Sequence, residues 1–259
     1  MIIEFDCGNT RIKWRIVDEF VVQDRGAFAT ESWLAEINQL HASQLKGLSL
    51  KGLSITRVLV ASVLGEGFRK QFSLWVAEHL SVSAEFAISE PHAFGITNGY
   101  QEPEKLGVDR WLAVIAARKR CSGGGIVVDC GSAVTVDLFT QDGEHLGGYI
   151  APGLQLMRRA LGNGTIQIKL GLIGYPDTVF PGRHTIAAIK SAELAMLNGL
   201  VTAAKACLSA YEQQPPSIIV TGGDGSWFSE QVDGHYVEDL VFEGLEHSMG
   251  LTNLNKEPL

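Results

Sequence analysis

The sequence predicts an α/β protein built from two copies of one unit, with its functional site in the cleft between the copies. The first observation is a duplicated motif. Ile2-Ile-Glu-Phe-Asp-Cys-Gly-Asn-Thr-Arg-Ile-Lys-Trp-Arg-Ile16 is matched by Ile126-Val-Val-Asp-Cys-Gly-Ser-Ala-Val-Thr-Val-Asp-Leu-Phe-Thr140, so that Asp6 meets Asp129, Cys7 meets Cys130, Gly8 meets Gly131 and Asn9 meets Ser132. The second is that each copy is followed by the same succession of strand-like and helix-like patterns. The third is size and composition: 259 residues, 46% hydrophobic and 19% charged, suit a well-packed protein long enough for two cores.

Each motif copy is expected to form a strand, a turn at glycine, where φ > 0 is permitted, and a second strand. Phe20 to Phe28 continues as a third antiparallel strand, and Leu34, Ile37 and Leu40 give Glu31 to Gln44 an amphipathic helical period. The tandem Leu45-Lys-Gly-Leu-Ser49 and Leu50-Lys-Gly-Leu-Ser54 is far too short for a solenoid repeat and is expected to be a surface insertion. Arg57 to Ala61 is a continuous apolar run of the kind found in buried parallel strands, Gly67 to Leu80 supplies a crossover helix, and Ala84 to Ile88 another strand. Pro91 to Lys105 has a loop composition, and a helix from about Leu106 to Arg120 leads to the Gly-rich link Cys121-Ser-Gly-Gly-Gly125.

The second half repeats the plan. Strands are expected at 126–130, 133–139 and about 144–151, and Pro152-Gly-Leu154 is expected to open a helix with Pro in its first turn. Asn163-Gly164 should form a turn. Ile186 to Leu208, rich in Ala, Leu and Met, is expected to be a long buried helix. Ser217 to Asp224 is a strand running into a glycine turn, and Leu240 to Leu251 a closing helix. Three antiparallel strands followed by helix, strand, helix and strand is the order of a ribonuclease H-like domain, which places the duplicated domains at 1–117 and 118–259.

Charge and cysteine usage exclude several classes. The net charge is −8 and no basic stripe occurs, so nucleic acid is not an expected partner, because phosphate-backbone binding needs a concentrated cationic face. Cys7, Cys121, Cys130 and Cys207 show neither zinc nor redox spacing, and no structural disulfide is expected. The first residues lack a basic leader pattern, and no uninterrupted apolar run is long enough to span a bilayer, so a cytoplasmic location without membrane association is expected. The histidines show no metal-ligand spacing, and Trp14, Trp33, Trp75, Trp111 and Trp227 suit core or interface anchors.

A strand-end aspartate followed by glycine and a hydroxyl or amide residue can hold Mg²⁺, directly or through water, while turn N–H groups and Thr10 or Ser132 bond phosphate oxygens. Either copy alone is equally an ordinary hairpin with a solvated Asp; it is the repetition at domain-scale spacing that points to a shared task. Neither a Walker-type nor a dinucleotide-type glycine loop is present. Thr221-Gly-Gly-Asp224 would let the backbone approach a flat adenine or a ribose, because glycine has no Cβ to obstruct it. In Tyr100-Gln-Glu-Pro-Glu-Lys-Leu-Gly-Val-Asp-Arg-Trp111, Asp109 lies near a helix start, where it could serve as a general base with Arg110 holding an anionic substrate group. The plainer alternative is an exposed helix-start pair, and Glu102, Glu104 and Lys105 are read as solvated. Cys7 and Cys130 should face away from phosphate and pack as small apolar residues.

These residues resemble the type III pantothenate kinases, the Bvg accessory factor homologues of the actin, hexokinase and Hsp70 (actin-like ATPase) superfamily. The resemblance runs over nearly the whole chain. It rests on Asp6-x-Gly-Asn-Thr-x-x-Lys13, Tyr100 through Pro103 to Gly107-x-Asp-Arg110, Asp129-x-Gly-Ser-Ala-x-Thr135, Gly147-Gly-x-Ile-x-Pro-Gly153, Thr185, Thr221-Gly-Gly-Asp224 and Asp239-Leu-Val-x-Glu-Gly-Leu245.

The resemblance implies ATP-dependent phosphorylation of pantothenate to 4′-phosphopantothenate, the first step of coenzyme A biosynthesis. By position it implies that Asp6, Cys7, Gly8, Asn9, Thr10, Arg11, Ile12 and Lys13, with Ser132, bind ATP, and that Asp6 supports Mg²⁺. Asp109 is implied as the base. Tyr100, Gly107, Val108, Asp109, Arg110 and Thr185 are implied to hold pantothenate, and Asp129 a monovalent cation, K⁺ or NH₄⁺. A homodimer is implied as well, with Thr185 acting across its interface. Ser132 stands where the family has Thr, keeping the hydroxyl while losing the methyl that restricts its rotamer. Ala192 replaces a Gly, and the tandem has no counterpart. Two other readings remain: another small-molecule kinase or exopolyphosphatase-like hydrolase on the same scaffold, and a nucleotide-gated regulator that has lost catalysis.

Overall fold

The computed structural model describes residues 1–47, 53–164 and 173–251. The middle of the Leu45–Ser54 tandem and Thr165 lie outside them. The chain forms two compact units that are not linear halves: one gathers Met1–Glu90, Glu102–Ala116 and the described residues from Val241 onward, the other Pro91–Gln101 and Ala117–Leu240. As a division of the duplicated sequence, 1–117 and 118–259 remains our proposal.

The first unit is built on β1 (Ile2–Cys7), β2 (Arg11–Asp18), β3 (Val21–Ala29), β4 (Arg57–Ser62) and β5 (Ala84–Phe86). Their order is β3-β2-β1-β4-β5; the first three strands are antiparallel, and β1, β4 and β5 run parallel. On one face α1 (Trp33–Leu40) and α2 (Glu66–Leu80) cover Ile3, Phe5, Cys7, Val58 and Val60 through Ile37, Leu40, Phe72, Trp75 and Val76. The predicted helix over 31–44 is interrupted at both ends, by a 3-10 turn at Thr30–Ser32 and a π-helical turn at His41–Leu45.

The opposite face explains why Glu4 is buried beside its apolar neighbours. It carries Arg15, which reaches Glu246 of α7 (Leu240–Ser248), and α7 crosses α3 (Val108–Arg120) so closely that a Cβ on Gly244 would overlap the Leu112 carbonyl. Arg15, 2% exposed, donates through Nε to Glu4 and through Nη2 to Glu246 Oε1 at 2.8 Å, and its guanidinium lies 4.7 Å from the Phe242 ring centre.

The second unit repeats the plan with β8 (Gly125–Cys130), β9 (Ala133–Phe139), β10 (His145–Pro152), β11 (Ser217–Thr221) and β12 (His235–Tyr236), in the order β10-β9-β8-β11-β12. Helices α5 (Thr185–Leu208) and α6 (Gly225–Val232) seal one face through Leu194, Leu197, Val201, Leu208, Phe228 and Val232. The short α6 and β12 carry too few periodic residues to stand out in the sequence. The loop-like segment 91–105 holds a two-stranded piece, β6 (His92–Ala93) and β7 (Ile96–Thr97), which joins this unit through Thr97 N–H to the Gly143 carbonyl at 2.8 Å.

Four expectations are corrected. Pro152 ends β10 instead of opening α4 (Leu154–Gly164), an edge place where its missing N–H is not needed. Asn163 and Gly164 close that helix and make no hairpin-like turn among the described residues. Helix α5 is not buried all round: its most apolar stretch, mean hydropathy 1.3, is 33% buried, because only one side meets the sheet. It is the one helix among the described residues long and apolar enough to cross a membrane. Lastly, Gly8 and Gly131 do not take positive φ; in the second motif's neighbourhood that role falls to Gly222.

Candidate active site

The first turn joins β1 to β2. Gly8 N–H donates to the Arg11 carbonyl at 3.1 Å, and a Cβ on Gly8 would stand only 3.2 Å from that oxygen, so tight closure, not a left-handed φ, calls for glycine. Thr30, unnoticed in the sequence, anchors the tip: its N–H donates to the Thr10 carbonyl at 3.1 Å and its hydroxyl to the Gly8 carbonyl at 2.7 Å. Asn9, Thr10 and Arg11 are exposed. Asp6 pairs in register with Lys13, whose Nζ is 4.0 Å from Asp6 Oδ2. The side chains of Cys7 and Ile12 point into the core, 1% and 0% exposed, so any part they take at this turn runs through their backbone. Burial, reinforced by the Asp6 charge, pushes the Cys7 thiol well above its usual range.

Asp109 is the second residue of α3, and its Oδ1 accepts the Arg110 N–H at 2.8 Å. A Cβ on Gly107 would lie 2.7 Å from that same oxygen, so glycine leaves the carboxylate its place. Arg110 is 7% exposed and Val108 is buried, while Asp109 is half-buried. The alternative of an exposed helix-start pair is therefore excluded, whereas Glu102, Glu104 and Lys105 are solvated as expected. Helix-start N–H groups favour a carboxylate here.

In the second unit Asp129 is the penultimate residue of β8, opposite Thr135 of β9 and Thr221 of β11. Gly131 N–H donates to the Ala133 carbonyl, and Gly153 N–H to the Ser132 carbonyl, both at 3.0 Å; Ser132 itself is exposed. Gly222, at φ +90°, passes directly beneath the Asp129 carboxylate, where a Cβ would overlap Oδ1 and lie 2.6 Å from the carbonyl carbon and oxygen of Cys130. The next residue but one is tied back by Asp224 N–H to the Cys130 carbonyl at 3.0 Å. Cys130 is buried, and burial followed by the Asp129 and Asp224 charges raises its thiol pKa.

Tyr100 belongs to this unit. Its ring lies near-parallel to His145, 6.2 Å between centres, and its N–H donates to Asn98 Oδ1 at 3.0 Å. Beneath it is a pair missed in the sequence: His145 and Asp137, each 1% exposed, with Nε2 to Oδ1 at 2.9 Å. Gly99 N–H meets His145 Nδ1 at 3.4 Å, which makes Nδ1 the acceptor and Nε2 the donor. No spacing rule could have found this pair, since β9 and β10 bring it together. Thr185 is exposed at the start of α5, whose cap is His184 Nδ1 accepting from Ala187 N–H.

The resemblance implies Mg²⁺ at Asp6 and a monovalent cation at Asp129, each at a single carboxylate. Among the described residues no group of three or more His, Cys, Asp or Glu gathers to hold a metal. Asp6 offers one carboxylate, and Mg²⁺ can be held by one carboxylate together with water and substrate phosphates.

Solved structures that share the fold include two that extend over nearly the whole chain. A protein named as a Baf family transcriptional activator from Campylobacter jejuni superimposes with a TM-score of 0.60 at 22% identity, covering 96% of this chain and 97% of its own. One named as a 2-dehydro-3-deoxygalactonokinase from Sinorhizobium meliloti gives 0.54 at 13% identity, covering 96% and 98%. With its twin five-stranded sheets, the chain has the fold of the actin-like ATPase class. Within that class, the family model for type III pantothenate kinase matches residues 2–206, and the type III pantothenate kinase of Cellvibrio japonicus is 37% identical over 252 residues, 95% of this chain and 96% of the relative. The chain belongs to the type III pantothenate kinase family.

Proposed function

We propose that this protein transfers the γ-phosphoryl group of ATP to the terminal hydroxyl of pantothenate, forming 4′-phosphopantothenate, the first step of coenzyme A synthesis. Family membership supports the reaction, and one observation supports its assignment to residues: the Asp109 carboxylate, oriented by its own helix start and given room by Gly107, beside the buried Arg110. In this reading Asp109 accepts the hydroxyl proton as the oxygen attacks phosphorus in line. Arg110 holds the pantothenate carboxylate, and Tyr100, Gly107, Val108 and Thr185 complete its binding. The turn from Asp6 to Lys13 and Ser132 bind the ATP phosphates. Mg²⁺ at Asp6, when bound, supplies charge neutralisation on those phosphates. Asp129 takes K⁺ or NH₄⁺.

The protein works as a homodimer in the cytoplasm, without nucleic acid. The open side of α5 supports dimerisation: Ala188, Ala192, Ala195 and Gly199 are exposed there with Met196 at 52%, a small-residue surface another helix can approach closely. Ala192 adds its methyl on this side.

The test is ADP release with and without pantothenate, in K⁺ and in Na⁺. Pantothenate-dependent release that is faster in K⁺ supports the whole reading; equal release without pantothenate points to a phosphohydrolase, and none at all to a regulator. Asp109→Asn should fold and bind ATP while losing roughly 10²- to 10⁴-fold in turnover, the usual worth of a general base. Turnover within threefold of the native protein would remove Asp109 from the mechanism.

A further inference from the structure

We infer that Tyr175 is the stacking platform for the purine base of ATP, held ready by Trp227 and Asp224. The inference rests on the kinase reading and adds to it the residue that recognises the base. Tyr175 is 48% exposed, yet it is fixed on several sides. Its ring stacks on Trp227 with centres 4.9 Å apart and planes 7° apart, and its hydroxyl donates to Asp224 Oδ1 at 2.9 Å. The following carbonyl, of the buried Pro176, accepts the Trp227 indole N–H at 3.1 Å.

The preceding chain is held as firmly. Arg158, 6% exposed, donates to the carbonyls of Ile173 at 2.8 Å and Gly174 at 3.1 Å. Its guanidinium is locked in turn by two bonds to the buried Glu193, at 2.8 and 2.7 Å. Ordering an exposed aromatic costs side-chain entropy, and a tyrosine on a surface loop ordinarily keeps that freedom.

The place held is the strand-end turn already suited to a flat base. Asp224 follows Gly222 and Gly223, and a Cβ on Gly223 would meet nothing within 4 Å, so open space adjoins the tyrosine's anchor. Trp227 occupies one face of the half-exposed ring, which leaves the other face as the one on which a purine could make an offset stack. The hydrogen bond to Asp224 also raises the phenol's pKa, so the ring remains neutral and does not repel a triphosphate.

The experiment compares inhibition constants for ADP, which has a base, and inorganic tripolyphosphate, which has none, using the full-length protein and pantothenate-dependent turnover. Tyr175→Leu should raise the ADP constant about five- to tenfold, and shift the tripolyphosphate constant less than twofold. Tyr175→Phe, which keeps the ring, should move ADP less than threefold. Native-like melting of both variants verifies folding. An unchanged ADP constant in Tyr175→Leu, or equal weakening of both inhibitors, overturns the platform while leaving the kinase reading intact. Native protein that makes no pantothenate-dependent ADP overturns both.

Discussion

Gly222→Ala tests how tightly the second unit builds its Asp129 turn. Gly222 sits at φ +90°, a left-handed conformation that costs an L-residue about 1–2 kcal/mol. The new methyl would also stand 2.6 Å from the Cys130 carbonyl carbon and oxygen, backbone of a central strand that cannot yield, and overlap the Asp129 carboxylate. Overpacking of this kind costs about 1–3 kcal/mol, for a total of roughly 2–5 kcal/mol. At about 2–4 °C per kcal/mol for a unit of this size, melting should fall by roughly 4–20 °C. Gly223→Ala is the control: no atom lies within 4 Å of its Cβ and its φ is ordinary, so melting should move by no more than about 2 °C. The two variants are compared by differential scanning calorimetry. If Gly222→Ala melts within 1 °C of the native protein, or Gly223→Ala falls as far as Gly222→Ala, the steric reasoning is wrong.

Three other perturbations follow from burial and charge. Arg15→Met removes the cation between the buried Glu4 and Glu246 and should cost about 3–5 kcal/mol in urea denaturation; a loss below 1 kcal/mol would show that the carboxylates are neutralised otherwise. Cys207 is exposed, whereas burial raises the thiol pKa of Cys7, Cys121 and Cys130, so at pH 8 Ellman's reagent should find one fast thiol, abolished by Cys207→Ser; a second fast thiol would contradict the packing. Arg57 grips Glu85 through bonds of 2.8 and 2.7 Å, and the bond to Arg57 lowers the Glu85 pKa. A depressed carboxyl stabilises above its unfolded pKa and loses that contribution as pH falls through the folded value. Because both side chains are about a third exposed, at 31% and 38%, Arg57→Met should cost less than about 1 kcal/mol at pH 7, and the gap should narrow as pH falls below the ordinary carboxyl range; a gap that widens in acid would reverse the assignment.

The sequence carried the sheet order because strand-turn-strand signals are local: β-branched runs on either side of Asp-Cys-Gly fix two antiparallel strands without outside help. Part of the local geometry around the proposed site was legible too, through residue types that only certain backbone positions permit, as Gly107 shows by making room for Asp109 two residues on. Pairings made by tertiary packing were not legible. His145 and Asp137 meet across two strands, Tyr175 reaches Trp227 from a loop, and Thr30 returns to the first turn only because β3 ends there.

The same limit explains the two misassigned glycine and helix features. A motif glycine suggests φ > 0, but Gly8 serves close approach instead, Gly131 shows neither a positive φ nor a crowded Cβ position, and the left-handed position moved to Gly222, in the turn after β11 that passes under Asp129. For α5, Ala, Leu and Met supply apolar residues on nearly every side, so periodicity could not mark which side meets the sheet. That ambiguity has a physical meaning: a helix whose outer side carries Ala188, Ala192, Ala195 and Gly199 is cheap to bury a second time, because small side chains lose almost no rotamer freedom and let another backbone come near. An Ala192→Glu or Gly199→Glu substitution on that side should leave the monomer's melting nearly unchanged and weaken self-association in sedimentation, whereas a change on the inner side, at Leu197, would unfold the second unit first.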